Sequence, residues 1–259
     1  MNADRAIVAA HLLPFERVGE AIRAFWPVVV TNMLMIFTPG FAAPAGLTDP
    51  YTSETAPEGA FAVLLVFPAL LYFGLVAARG AIAWHRSLIR GEAVPWTPPW
   101  PDGLTWRYFG WALLVGLASG IVGAISGGIV GWAAVALFGA DPPNVTAPIE
   151  PTGYTPFSLG FSLAIALVAG AVFALLASWF LKLPAVAVER DRPRADARAR
   201  WLLFGTTVPW VLASSLLTLP FPPTPPLAVA VLLLALNVYA ATLAVTALSL
   251  AFRSSEGTL

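Results

Sequence analysis

Residues 108–138 read YFGWALLVGLASGIVGAISGGIVGWAAVALF, an uninterrupted run without a charged side chain. Because about 20 such residues cross the hydrocarbon core of a bilayer as an α-helix, this run predicts a transmembrane span. As one straight helix it would reach about 46 Å, whereas the hydrocarbon core is about 30 Å thick. We therefore expect the helix either to protrude from the membrane or to break at Gly127-Gly128.

Five further apolar segments accompany this run, and the composition agrees with a membrane protein. Hydrophobic residues make up 58% of the 259 positions and charged residues only 11%, against about 25% charged in an ordinary soluble domain. The six predicted spans are 25–42, 61–84, 108–138, 157–181, 201–219 and 227–252. The sequence thus predicts an all-α fold, a polytopic membrane helix bundle with six transmembrane helices as three helical hairpins. The transmembrane domain would cover residues 25–252, between an N-terminal segment, 1–24, and a tail, 253–259.

All 14 Lys and Arg residues fall on one side of these spans. The loops on the other side, residues 43–60, 139–156 and 220–226, contain none. In short loops the basic residues mark the cytoplasmic side. The sequence therefore predicts a multi-pass protein of a bacterial inner (plasma) membrane with both termini in the cytoplasm. Ala43-Pro44-Ala45 also resembles a signal-peptidase site, which leaves open whether the first span is a cleaved signal.

A short interfacial amphipathic helix is predicted before the first span. Phe15, Val18, Ile22 and Phe25 recur at three- and four-residue spacing, opposite Glu16, Arg17 and Glu20. Such a pattern is typical of a helix that lies on the inner leaflet. The alternative is a disordered lead-in, since Pro14 breaks any longer helix.

Similar loop segments suggest a duplicated hairpin. Thr55-Ala56-Pro57-Glu58 precedes the second span and Thr146-Ala147-Pro148 precedes the fourth, 91 residues later. Repeats of this kind build many membrane bundles. The alternative is that aromatic belts and the distribution of basic residues produce similar helix ends in unrelated helices.

Glycines recur four residues apart along the third span. Gly116 pairs in this way with Gly120, and Gly123 with Gly127 and Gly131. Because this spacing lets two helix backbones approach closely, it predicts an oligomer face or a hinge. The alternative is an ordinary packing contact within the chain.

Few side chains offer chemistry. There is no cysteine, and no ionisable residue lies near the centre of a span. Asn32 and Asn237 are the most polar deep residues and predict either a polar pathway or interhelical hydrogen bonds. His85 and Glu92 would form an acid–base pair at the cytoplasmic surface, or His85 would contact lipid headgroups. The sequence predicts no catalytic site, no cofactor and no metal site, and the net charge of zero predicts no nucleic-acid partner.

The segment 189–200, ERDRPRADARAR, is the most densely charged part of the chain. Its five arginines are predicted to contact anionic lipid headgroups or a partner's acidic surface. They are Arg190, Arg192, Arg194, Arg198 and Arg200. The alternative is that they only determine topology.

Two segments carry a family resemblance. Ile82-Ala83-Trp84-His85-Arg86 with Gly91-Glu92, and Leu183-Pro184-Ala185-Val186-Ala187-Val188, resemble a family of six-helix integral membrane proteins of alphaproteobacteria. More distantly, this family is similar to the membrane domain of bacterial glycerophosphodiester phosphodiesterases. The resemblance covers about residues 82–190 and implies an integral membrane fold, but it implies no activity.

The leading interpretation is a non-enzymatic accessory or scaffold protein whose helices pack against a membrane partner. That partner would be membrane lipid, another membrane protein or a second copy of the chain. The alternative is a small transporter or channel built from repeated helical hairpins, with Asn32 and Asn237 near its pathway. A third reading is an enzyme that acts on lipid through His85 and Glu92.

Overall fold

The computed structural model describes residues 3–37, 57–96, 101–138, 156–191, 193–218 and 227–257. Across these ranges the backbone is helical apart from short turns and connections, and it contains no strand, which confirms the all-α prediction. The helices are α1 Ala3–Glu16, α2 Val18–Phe37, α3 Pro57–Arg90, α4 Gly103–Phe138, α5 Pro156–Leu175, α6 Ala177–Phe180, α7 Lys182–Ala187, α8 Ala197–Thr218 and α9 Leu227–Ser255.

The described part of each predicted span is largely helical, but within the described ranges fewer than six helices are long and apolar enough to cross a membrane. Within the described ranges, Gly103–Ile129 and Val238–Ser255 are long and apolar enough to do so. The bent pair Gly160–Leu175 and Ala177–Ala187 would make a third span. Helix α3 is not among these helices partly because its C-terminal turns carry Arg79, Arg86 and Arg90, which lower its mean hydropathy. Of the repeated segments, Pro57 and Glu58 begin α3, whereas Thr55, Ala56 and the segment from Thr146 lie outside the described residues.

The N-terminal segment forms more helix than its sequence pattern predicts. Pro14 lies inside α1, so the expectation that it prevents a longer helix is wrong. The predicted interfacial stretch crosses the junction between α1 and α2 at Arg17. Phe15 and Ile22 are exposed as expected, whereas Phe25 is buried against α3. Helix α1 packs against α8 and α9, so it belongs to the bundle.

Helix α4 runs without interruption from Gly103 to Phe138. The predicted break at Gly127-Gly128 is therefore wrong. With 36 residues the helix is about 54 Å long, well beyond the thickness of a hydrocarbon core. Large apolar side chains such as Leu117, Ile125 and Trp132 project from it and are more than half exposed.

The predicted single span 157–181 is instead bent. The axis turns by 62° between α5 and the short helices α6 and α7. Just before the bend, the carbonyl of Ala174 accepts a hydrogen bond from Arg200 Nη1 at 3.3 Å. A side-chain donor at a helix carbonyl is a recognised cause of kinks. The stacked rings of Phe173 and Phe180, 4.4 Å apart, bridge the two sides of the bend.

The buried residues that the structure describes lie mainly at one end of the bundle. Consecutive long helices pack together, α2 on α3, α4 on α5 and α8 on α9, and α5 also packs extensively on α8. The largest cluster of buried residues includes Ala6, Ile82, Tyr108, Leu202 and Phe252, which come from five helices. This end, where α3 and α9 finish and α4 and α8 begin, is called the basic end below.

Close contacts between helices involve isolated glycines. A Cβ atom at Gly80 would collide with the backbone carbonyl of Ala24, so Gly80 sets how closely α2 and α3 approach. At Gly74 and Gly170 a Cβ would instead meet neighbouring side chains. None of these glycines belongs to the predicted series in α4.

We expect the Gly80→Ala variant to be less stable than the wild type. The added methyl group meets a backbone oxygen, which cannot rotate away, so α2 and α3 must separate. Overpacking of this kind costs about 1–3 kcal/mol. Thermal unfolding of the purified protein in detergent measures the effect.

The matched control is Gly110→Ala, another helical glycine, where a Cβ would meet no atom within 4 Å. Alanine there should leave stability unchanged or raise it slightly, because glycine is the poorer helix former. Equal unfolding temperatures for both variants would contradict the proposed role of Gly80.

Candidate functional site

The two segments that carry the family resemblance meet at the basic end. Helix α7, which contains the second segment, packs against α3, α4 and α9. Residues Leu183 through Val188 are all buried, as are Trp84 and His85 of the first segment. The structure thus brings together two stretches that lie about 100 residues apart in the chain.

Helix α7 ends in a turn that satisfies two of its carbonyls. The backbone N–H of Glu189 donates to the carbonyl of Val186 at 3.2 Å, and that of Arg190 donates to Ala185 at 2.9 Å. This pairing is the Schellman arrangement, which requires a left-handed residue and usually has glycine there. Here that residue is Glu189, with φ 53°. Such a conformation costs a non-glycine residue about 1–2 kcal/mol.

Two arginines of α3 bind the remaining carbonyls at the end of α7. Arg86 Nε donates to the carbonyl of Ala187 at 2.8 Å, and Arg90 Nη2 donates to that of Val188. Arg86 Nη2 also forms an ion pair of 2.9 Å with Glu189. Cationic donors at a helix C-terminus complement its partial negative charge. These contacts hold α7 against α3 and hold Glu189 in its strained conformation.

His85 lies completely inside the bundle and connects three helices. Its Nδ1 is 2.7 Å from Ser249 Oγ of α9, and its Nε2 is 3.1 Å from the hydroxyl of Tyr108 of α4. Each nitrogen of a neutral imidazole can hydrogen-bond, one as donor and the other as acceptor. No carboxylate pairs with the ring, and an unpaired buried charge is costly, so these contacts suit the neutral form. The neighbouring Trp84 Nε1 donates to Thr246 Oγ1 at 2.8 Å.

These contacts overturn one prediction for His85 and remove support from another. The ring is 0% exposed, so it does not contact lipid headgroups. Glu92, the expected acid–base partner, instead lies 3.4 Å from Arg90 and 4.0 Å from Arg86. His85 therefore connects helices and does not reach the surface at which an acid or base would act.

Asp102 caps the start of α4. Its Oδ1 accepts hydrogen bonds from the backbone N–H and the hydroxyl of Thr105, at 2.8 and 2.7 Å, and lies 3.2 Å from Arg79 Nη1. Burial alone would raise the pKa of this carboxyl, but the hydrogen bonds from Thr105 and the charge of Arg79 together lower it. The cap therefore stabilises the folded chain once pH exceeds the ordinary aspartate pKa. That stabilisation is lost as pH falls through the lowered value.

The predicted arginine surface does not form a single cluster among the described residues. Arg190 pairs with Glu256 at 3.2 Å, and Arg200 binds the α5 carbonyl described above. Arg194 and Arg198 are exposed, and Arg192 lies outside the described residues. Arg190 and Arg200 thus form contacts within the protein, whereas Arg194 and Arg198 are available to a headgroup or a partner.

The glycines of α4 line an open groove. At Gly116, Gly120, Gly123 and Gly127 an added Cβ would meet no neighbouring atom within 4 Å, so these glycines do not set a close approach between helices. An oligomer face and a packing contact within the chain both stay predictions for them. The groove lies between α4 and α5, has a volume of about 460 Å³ and is bordered by Val168 and Phe173. The surroundings of Gly131 and the side chains of Asn32 and Asn237 are outside the described residues.

Within the described part of the chain, no three His, Asp or Glu side chains lie close enough together to hold a metal ion. Comparison with family models, curated proteins and solved structures finds no match to this chain. The family resemblance of the two segments at the basic end therefore stays a prediction, and the geometry is the basis for any functional argument.

Two substitutions of Glu189 should differ in a way that identifies its strain. Glu189→Ala loses the ion pair and keeps the left-handed conformation at a residue with a Cβ. Glu189→Gly loses the same ion pair, worth about 0.2–1 kcal/mol at an exposed site, but relieves the strain. We expect the glycine variant to be more stable than the alanine variant by about 1 kcal/mol. Unfolding in denaturant would measure the difference, and an alanine variant as stable as the glycine variant would contradict it.

Proposed function

We propose that the protein is a multi-pass protein of a bacterial inner membrane that acts as a non-enzymatic accessory or scaffold. In this proposal six spans form three helical hairpins, and both termini lie in the cytoplasm. The spans are provided by α2, α3, α4, α5 with its bent continuation, α8 and α9. The open groove of α4 is the observation that carries the scaffold role.

Contacts between the basic segments support the proposal that these segments lie on the same side of the membrane. Arg23 of the first basic group lies over the ring of Trp96, which follows the second span. Arg86 of the second group pairs with Glu189, and Arg190 of the third pairs with Glu256 in the tail. Basic segments from four parts of the chain are therefore neighbours in space, as they would be at one membrane surface.

The chain contains no cysteine, so single cysteines can report its topology without background. We expect Thr146→Cys and Thr224→Cys, in the loops without basic residues, to react with a membrane-impermeant maleimide in spheroplasts. Ser254→Cys, in the tail, should react only after permeabilisation. Labelling of Ser254→Cys in intact spheroplasts would overturn the proposed orientation.

The groove between α4 and α5 has the properties of a helix-docking surface. Lipid tails are as apolar as leucine, so helices associate in membranes where small residues let their backbones approach. Four glycines along one face of α4 leave such a space open, and α5 closes only one side of it. A transmembrane helix of a partner, or of a second copy, would bring its backbone against these glycines.

Filling the groove should separate the protein from its partner. In the double variant Gly123→Leu and Gly127→Leu, two large side chains occupy the space that a docking helix needs. We expect native mass spectrometry of the protein extracted in a mild amphiphile to show loss of the partner protein or of the homo-oligomer. The control is Ala118→Leu with Val122→Leu, which adds bulk four residues apart on another face of α4.

Two results would count against the scaffold role. One is a wild-type protein that is extracted as a single chain, with no partner. The other is a groove variant with an unchanged assembly. Solute movement by the purified protein in liposomes would instead favour the alternative of a small transporter or channel.

A further inference from the structure

We propose that a pocket at the basic end binds a phosphate-bearing anion, with a phospholipid headgroup as the natural occupant. The pocket lies between α2, α3 and the connection that leads into α4, and its volume is about 340 Å³. Its polar lining consists of Arg23, Arg79, Arg86, Glu92 and Asp102. It is separate from the groove of α4 and from the arginines of segment 189–200.

Three guanidinium groups from two helices line this pocket. Arg79 and Arg86 are seven residues apart on α3, which places them two turns apart on one face. Arg23 extends from α2, where that helix crosses α3 at the Gly80 contact. Guanidinium groups bind phosphate with paired, charge-assisted hydrogen bonds. Arg86 already donates to Ala187 and Glu189 and adds positive charge, whereas Arg23 has a donor left for an anion.

Arg23 carries a buried donor, its Nε, that has no acceptor in the described part of the chain. Its guanidinium carbon lies 4.8 Å from the centre of the Trp96 ring, which orients the group without supplying an acceptor. A buried donor without an acceptor costs free energy, and a ligand oxygen would remove that cost.

The acidic residues of the pocket leave an excess of positive charge. Three arginines and two carboxylates give a net charge of +1 for the lining. Asp102 is occupied by Arg79 and Thr105, and Glu92 lies beside Arg86 and Arg90. Glu20, the other nearby carboxylate, binds Arg17 and Ser87. The charge of Arg23 also acts on Glu20, but no described carboxylate accepts a hydrogen bond from the buried Nε of Arg23.

The walls of the pocket favour a lipid as the source of that anion. Beside the arginines, Ala24, Val76 and Ala83 provide an apolar surface. Trp26 and Trp96 are exposed nearby, and Trp26 Nε1 donates to the carbonyl of Trp96 at 2.9 Å. Tryptophan is typical of the membrane–water boundary, and basic pockets between helices on the cytoplasmic side bind anionic headgroups. This step rests on the proposed orientation, which puts the basic end at the inner leaflet, but not on the scaffold role.

The test is a binding titration of the full-length protein in a neutral detergent. Short-chain phosphatidylglycerol, short-chain phosphatidylcholine and inorganic phosphate are added separately. Retained lipid is counted by native mass spectrometry, and the shift in unfolding temperature reports binding of each probe. We expect saturable binding of phosphatidylglycerol, stronger than that of phosphatidylcholine.

Substitutions of Arg23 connect the binding to the pocket. Arg23→Gln should weaken phosphatidylglycerol binding about tenfold, the loss of one charge-assisted hydrogen bond. Arg23→Lys keeps the charge without the planar donor pair and should give an intermediate loss. The control is Arg107→Gln, an exposed arginine near the start of α4 at the same end, which should bind like the wild type. Unfolding without added lipid shows whether each variant is folded.

The outcomes separate the possibilities. Protection by inorganic phosphate without phosphatidylglycerol binding would support the anion site and make a free phosphate compound its ligand. Equal binding of both lipids, or equal effects of the Arg23 and Arg107 variants, would overturn the proposal. Because Arg23 is remote from the groove of α4, lost lipid binding with an intact assembly, or the reverse, distinguishes this site from the scaffold role.

Discussion

A helix that ends inside a bundle leaves carbonyl groups that its own backbone cannot satisfy, and buried carbonyls without donors are costly. Helix α7 meets this constraint at the basic end. Its turn at Glu189 satisfies two carbonyls, and Arg86 and Arg90 of α3 satisfy two more. The bend after α5 depends on this solution, because only a bent chain can insert the apolar segment 183–188 between α3, α4 and α9. The order of the basic end therefore follows from a few arginine–carbonyl contacts.

The hydrogen bonds of His85 fix the long helices relative to one another in a similar way. Through Tyr108 and Ser249, the ring connects α3 to α4 and to α9 at the level where α7 packs. Such a buried polar network specifies one arrangement of the helices, since any other arrangement would leave its groups unsatisfied. In contrast to this buried network, α4 exposes leucine, isoleucine and tryptophan side chains along most of its length. The protein thus combines a polar network at the basic end with a long apolar surface on α4.

Charge at the basic end has two separate roles, which residue counting cannot distinguish. Arg86, Arg90 and Arg200 act on backbone carbonyls and fix the positions of helices. The buried Nε of Arg23 has no acceptor among the described residues, although the side chain is as basic as the others. The distribution of arginines predicts which side of the membrane they occupy, but their structural or ligand-binding role depends on partners that are distant in sequence.

The sequence by itself determined the helical class, the approximate positions of the long described helices and the separation of loops with basic residues from loops without them, because hydropathy and charge act locally along the chain. It did not determine the 62° bend, the burial of His85 or the difference between the glycines. The repeated glycines of α4 meet no neighbour, whereas the isolated Gly80 meets the carbonyl of Ala24, and no local pattern marks the second case. Only the tertiary structure decides such contacts, since each depends on two segments that are brought together from distant parts of the chain.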